Sequence, residues 1–142
     1  MSYSIRDTKH AVHWMARQHK DRTTGWKGMC QSSVRQAMGI PAWANSAIHA
    51  WERIPHRHRS AGGSPEEAPA GAALYYNIGH YGHAALAGFH HDVCWSVDYW
   101  RRDLIGTAPR DFHRWHGIEY LGWSLWTPFG EPEQTYKHPH HK

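Results

Sequence analysis

The chain has 142 residues, a length typical of one domain with its own hydrophobic core. Its 16 Lys and Arg residues outnumber 12 Asp and Glu, and the formal net charge of +4 favours an anionic partner such as nucleic acid or a bacterial wall polymer. Two cysteines are too few for a disulfide scaffold, which excludes the small disulfide-rich proteins.

The N-terminal stretch MSYSIRDTKH lacks the apolar segment of a signal peptide, and no apolar run is long enough to span a membrane. We therefore expect a protein made in the cytoplasm, wherever it acts afterwards, with no membrane span. Nine tryptophans are many for this length. Because indole rings stack on sugars and bases as well as filling cores, they favour a binding cleft.

Three helices are predicted in the N-terminal half, over about residues 8–20, 30–38 and 46–53. The second ends where it does because Gly39 is a natural left-handed stop and Pro41 prevents continuation. Each prediction depends on apolar residues that recur on one helical face.

From residue 71 onwards the pattern changes to strands. GAALYY, HAALAG and VCWSVDY are short, partly alternating apolar runs, and a helical turn near 110–115 precedes a further strand at 118–123. Residues 56–70 are polar and rich in Gly and Pro, which predicts a loop. Helices followed by strands indicate an α+β fold, with N-terminal helices packed on a central antiparallel sheet. We expect one catalytic domain over 1–130 and a polar, flexible tail over 131–142.

HAALAG and VCWSVDY predict a hairpin whose loop is centred between His90 and His91. In that register His83 lies opposite Asp98, with Cβ atoms about 5 Å apart, and a one-residue slip would separate them. The other residues on this face are small, and the expectation is that a helix approaches it closely. They are Ala85, Ala87, Cys94 and Ser96. The opposite face is bulky and core-like, with Leu86, Val93, Trp95, Val97 and Tyr99.

Cys30 is the candidate for that helix. A thiolate at a helix N-terminus is stabilised by the macrodipole and by unpaired N–H groups, and a neighbouring histidine would lower the thiol pKa further. A nucleophile, a base and a carboxylate that orients the base form a catalytic triad, here Cys30, His83 and Asp98. Cys94 fits worse, about 13 Å along the strand from Asp98. The alternative is two buried thiols and a core histidine.

Five segments resemble the CHAP and NlpC/P60 cysteine peptidases and amidases, in the versions carried by actinobacteria and their phages. These segments are GWKGMCQSSVRQAMGIP, SAIHAW, GAALYYNIGHYGHAALA, CWSVDYWRRDLIG and YLGWS. The resemblance spans about residues 10–127 and implies a papain-like fold that cuts amide bonds in peptidoglycan, without a cofactor or metal. It departs from the family where the strand before the histidine lacks the usual Gly-Asp and reads Ala70-Gly71-Ala72.

The resemblance also implies roles for individual residues. Cys30, at a helix start in GMCQSSVR, corresponds to the nucleophile, and His83, opening a strand after Gly82, corresponds to the base. Asp98 takes the third position, where the family often has Glu, Asn or His. The candidate substrate contacts are Trp26, Gln31, Tyr81 and Trp95, with Trp43 also considered; core packing, or a helix surface for Gln31, is the alternative for each. The setting would be a phage lysin or a virion-associated hydrolase.

Three other interpretations stay open. His80 and His83, with His90, His91 or Asp92, could bind zinc in a zinc-dependent amidase, although HxxH on a strand points its two histidines to opposite sides. HRHRS and YWRRD pair basic and aromatic residues as a non-catalytic wall-binding or nucleic-acid-binding module would, but no recognised nucleic-acid motif is present. A papain-like scaffold can also host an acyltransferase.

Overall fold

The computed structural model describes residues 5–99 and 103–133. Three helices form the N-terminal layer, as predicted. Ser46 caps the third, because its hydroxyl accepts a hydrogen bond from the backbone N–H of His49, and Gly39 ends the second with a φ of 75°. The helices are α1, Thr8–Lys20; α2, Cys30–Met38; and α3, Ala47–Arg53. None of the helices in the described ranges is long and apolar enough to cross a membrane.

The strands described are β1, Ser60–Ala61; β2, Ala73–Asn77; β3, His83–Ala87; β4, Val93–Val97; β5, Ile105–Pro109; and β6, Glu119–Ser124. They form one six-stranded antiparallel sheet in the order β1-β6-β2-β3-β4-β5, so the protein is α+β. A short helix, α4, spans Phe112–Trp115 before the last strand, and single 3₁₀ turns lie at His56–His58 and Pro65–Glu67.

The two strands at the ends of this order, β1 and β5, were not predicted. The β5 sequence IGTAP contains a glycine and a proline, which weaken any strand pattern. Both residues are tolerated because β5 pairs with β4 alone and so has one unpaired side. The predicted loop over 56–70 contains the two-residue β1.

The predicted hairpin register is confirmed. Leu86 pairs with Trp95 and Ala87 with Cys94, which centres the loop between His90 and His91. This register places the side chains of His83 and Ser96 on one face of the two strands, in diagonal positions.

The expectation that the helix bearing Cys30 packs on the small-residue face is wrong. Helices α1 to α3 share a core with Ala84, Leu86 and Val97, on the bulky face of the sheet. The bulky residues give the helices more apolar area to bury. The small residues Ala85, Ala87 and Cys94 lie in a second core, together with Leu74 and the aromatic rings of Tyr76, Phe112 and Tyr120.

Candidate active site

Cys30 is the first residue of α2 and lines a cleft of about 430 Å³. Its side chain is partly buried and packs at the edge of the helix-side core. The cleft runs between the first turns of α2 and the segment 42–47, with Tyr81 contributing from the turn before β3. A reactive group at a helix start can therefore meet a ligand here.

The charge state of the Cys30 thiol is set mainly by burial, which raises its pKa. Backbone N–H groups of Ala84, Gln31 and Cys30 itself oppose this by stabilising the thiolate, and the Asp98 carboxylate raises the pKa further. The prediction of a lowered thiol pKa is therefore wrong for the resting site. The macrodipole favours the thiolate, but desolvation outweighs it.

His83 is the first residue of β3, and its imidazole is held by Ser96. The ring Nε2 lies 2.7 Å from Ser96 Oγ. Since that hydroxyl donates its own hydrogen to the Val97 carbonyl at 3.1 Å, it accepts a hydrogen bond from Nε2–H. The lone pair of the neutral imidazole therefore lies on Nδ1, where a general base needs it.

Burial lowers the pKa of His83 to about 4, although the charge of Asp98 acts in the opposite direction. The ring packs against Tyr76 and Phe112, with centroid separations of 6.3 and 6.0 Å. The imidazole is therefore neutral at neutral pH. Together with the protonated thiol, the resting site is an uncharged pair rather than a thiolate–imidazolium pair.

The hairpin register places Asp98 opposite His83 and suggested a hydrogen bond between the two side chains. In the part of the chain that the structure describes, that hydrogen bond is absent. Instead, Oδ2 of Asp98 accepts from the backbone N–H of Gly28 at 2.8 Å, and its Oδ1 accepts from that of Asp103 at 2.6 Å. The residue has a φ of 61°, in the left-handed region. Among the described residues the hydrogen-bond partner of the His83 ring is Ser96, and Asp98 anchors the loop before α2.

The structure brings Cys30, His83 and Asp98 into one neighbourhood without joining them directly. The sulfur of Cys30 lies near the N–H of Ala84, the residue after His83, and the Asp98 charge acts on both titratable groups. In the described ranges no hydrogen bond connects Sγ to the imidazole. Such contacts are often loose in ligand-free enzymes and tighten when substrate binds.

The four predicted substrate contacts separate into core and cleft residues. Trp26 is 9% exposed and donates its indole N–H to Thr23 Oγ at 3.0 Å, and Trp95 packs against the helix-side core. Both are core residues. Tyr81 is 74% exposed and lines the cleft, as does Gln31, which is buried.

Trp43, which was also considered as a substrate contact, lines the cleft from the segment before α3. One residue of this region, Ser96, was missing from the predicted site. Ser96 was placed on the His83 face by the register, but as a small residue rather than as a partner of the imidazole. The hydrogen bond between Ser96 and the imidazole could have been predicted from the hairpin register, which places Ser96 diagonal to His83.

The histidine cluster that suggested zinc is dispersed. His80 is an exposed residue of the turn before β3, and His90 and Asp92 pair with each other in the β3–β4 loop, 3.2 Å apart. In residues 5–99 and 103–133, no three His, Cys, Asp or Glu side chains come together as metal ligands would.

No protein-family model matches this chain, and no curated protein or solved structure matches it either. The class of protein defined by fold and site is an α+β domain with a partly buried cysteine at a helix start, beside a strand that opens with a neutral histidine.

Proposed function

We propose that the protein is a papain-like cysteine peptidase or amidase of the CHAP and NlpC/P60 type, which hydrolyses an amide bond in bacterial peptidoglycan. The observation that carries this proposal is the position of Cys30 in the cleft, at the start of α2 and beside the backbone N–H that follows His83. The order and spacing of the resembling segments support the same class of enzyme.

The backbone around the sulfur suits acyl transfer. The N–H groups of Cys30, Gln31 and Ala84 that favour the thiolate are also donors for the oxyanion of a tetrahedral intermediate. These donors are fixed by α2 and β3, so they need no reorganisation during the reaction.

The uncharged resting pair defines the chemical steps. As Sγ attacks the amide carbonyl, its proton passes to Nδ1 of His83, once substrate has brought the two within hydrogen-bond distance. The imidazolium then protonates the leaving amine and leaves a thioester on Cys30. Water, deprotonated by the neutral imidazole, attacks the thioester, and the carboxylic acid product departs as the thiol recovers its proton.

In this proposal Ser96 and Asp98 have different roles. Ser96 is a positioning residue, because its hydroxyl fixes Nε2–H and so directs Nδ1 as the basic atom. Asp98 stabilises the imidazolium through space and holds Gly28, two residues before Cys30. The role of the third catalytic-triad residue is thus shared by the hydroxyl of Ser96 and the more distant carboxylate of Asp98.

Peptidoglycan is proposed as substrate on the resemblance and on the basic charge of the chain, since the wall carries anionic groups. A phage lysis system or a phage particle is the setting in which the resembling proteins act. The proposal extends that setting to this protein.

Digestion of purified actinobacterial sacculi tests the proposal. We expect soluble fragments with new amine ends, and mass spectrometry of those fragments identifies the bond. Cys30→Ala should reduce the rate by at least about 10³-fold, because it removes the nucleophile. Cys94→Ala is the matched control, since Cys94 is fully buried in the other core.

Two results would contradict the thiol mechanism. One is full activity in folded Cys30→Ala, with folding checked by circular dichroism. The other is activity that EDTA removes and zinc restores. Salt-sensitive binding to DNA without wall hydrolysis would favour the binding module instead.

A further inference from the structure

The cleft beside Cys30 has one charged side chain among the described residues that line it, namely Arg35. The other lining groups are apolar or neutral, including Trp43, Asn45 and Tyr81. The N-terminus of α2 adds partial positive charge at the Cys30 end. The described lining therefore carries a positive charge and no carboxylate, while the Asp98 carboxylate acts on the Cys30 end from outside the lining.

Arg35 lies on the same helix as the nucleophile. It lies five positions after Cys30, which corresponds to about 7.5 Å along the helix axis. Within residues 5–99 and 103–133, its guanidinium donates one hydrogen bond, from Nη1 to the Ile40 carbonyl at 3.3 Å. Since a guanidinium has five N–H donors, most of its capacity is available to a ligand.

Gln31 supplies a second polar group on the same side of α2, four residues before Arg35. Its side chain is 9% exposed in the cleft wall, and its Oε1 has no hydrogen-bond partner among the described residues. A buried amide oxygen without a donor is costly, so a side-chain rotation that brings it to a ligand N–H in the cleft would be favourable. The cation and the amide together match a peptide that carries both a carboxylate and N–H groups.

We propose that Arg35 is a specificity-determining residue that binds a free carboxylate of the substrate, on the part of the peptide held along α2. The inference rests on the proposed function and adds the substrate class, an acidic stem peptide whose carboxylate is not amidated. A guanidinium pairs with a carboxylate through two parallel hydrogen bonds, whereas a neutral carboxamide offers one acceptor oxygen and no charge.

The test compares two synthetic stem peptides that differ only in a free carboxylate or its carboxamide. We expect the native protein to hydrolyse the acidic peptide with a kcat/KM about 10- to 100-fold higher, the range of a charge-assisted hydrogen bond. Arg35→Gln should remove this preference by raising KM for the acidic peptide alone. Arg35→Lys should restore part of it. Arg17→Gln, an exposed arginine of α1, is the control with the same loss of charge.

The outcomes separate this inference from the proposed function. Equal hydrolysis of both peptides by the native protein, or an unchanged preference in folded Arg35→Gln, would overturn the role of Arg35 while leaving the hydrolase intact. If neither the peptides nor sacculi are cleaved, the proposed function fails. The role of Arg35 is then tested by measuring the affinity of the protein for each peptide by calorimetry. The acidic peptide must then bind more tightly than its amide, and equal affinities overturn the inference.

Discussion

The two ends of the β3–β4 hairpin bury polar groups in opposite ways. At the turn end, the guanidinium of Arg110 uses all five of its N–H donors on backbone carbonyls, those of Pro65, Ala68, Gly88, His90 and Val93. At the open end, the imidazole of His83 has one hydrogen bond, to Ser96, and Nδ1 keeps its lone pair.

This difference distinguishes a structural polar cluster from a chemical one. Arg110 is 1% exposed, and its hydrogen bonds hold the segment 65–68 and the β3–β4 loop against the sheet, so it has no capacity left for a ligand. His83 and Cys30 are partly buried as well, but the basic nitrogen and the thiol are not fully committed to fixed partners. The proposed proton transfer and nucleophilic attack require such incompletely satisfied groups beside a cleft.

The largest expected effect on stability is at the turn end. Arg110→Met should lower the free energy of unfolding by about 3–5 kcal/mol, because several buried carbonyls lose a charged donor at once. Urea denaturation measures this, and Arg114→Met, at a half-exposed arginine of α4, is the control. A loss below about 1 kcal/mol would show that water replaces the guanidinium and would remove the contrast between the two ends.

A pH-dependent stability is expected from the open end. The folded pKa of His83 is about 4 and its unfolded value about 6.5, so between these values the unfolded chain binds a proton that the folded chain does not. Stability is therefore full above pH 6.5 and falls by up to about 3 kcal/mol as the pH drops through 4.

His83→Gln should remove this part of the pH dependence, measured by denaturation at pH 7 and at pH 4.5. His91→Gln, at an exposed loop histidine, should leave it unchanged. Parallel pH curves for the native protein and His83→Gln would mean that the imidazole is solvated and already protonates near its ordinary pKa.

The smallest expected effect concerns the partner of the imidazole. Ser96→Ala removes the acceptor of Nε2–H, so kcat/KM should fall by about tenfold, the value of one hydrogen bond. Because that bond favours the imidazolium more than the neutral ring, its loss should also move the acid limb of the pH–rate profile to lower pH. Ser96→Thr, which keeps a hydroxyl, should restore both. An unchanged acid limb would assign Ser96 a packing role only.

Local features of the fold could be predicted from the sequence because their causes are local. Gly39 ends α2 and Ser46 caps α3 within one helical turn, and the β3–β4 register follows from a short symmetric loop. The edge strand β5 was not predicted, because its glycine and proline leave no alternating pattern of apolar residues.

The helix start at Cys30 and the strand start at His83 could be predicted from the sequence, but the contacts of the candidate site could not. The position of Cys30 at a helix start and of His83 at a strand start depends on neighbouring residues. The capture of the Asp98 carboxylate by Gly28 joins segments far apart in the chain, and no local pattern encodes it. The choice of sheet face by the helices was missed for the same reason, since alternation defines two faces without saying which one is covered.

The strand order has a consequence for when the chain becomes reactive. Strands β2 to β5 pair each with the next, so His83 and Ser96 meet by closing a short loop, which costs little entropy. Cys30 reaches them only when α2 docks from far upstream, and β6 must return to lie between β1 and β2. We expect the base to be assembled early and the nucleophile to join it last. A partly folded chain would then carry every residue of the candidate site without bringing Cys30 to His83.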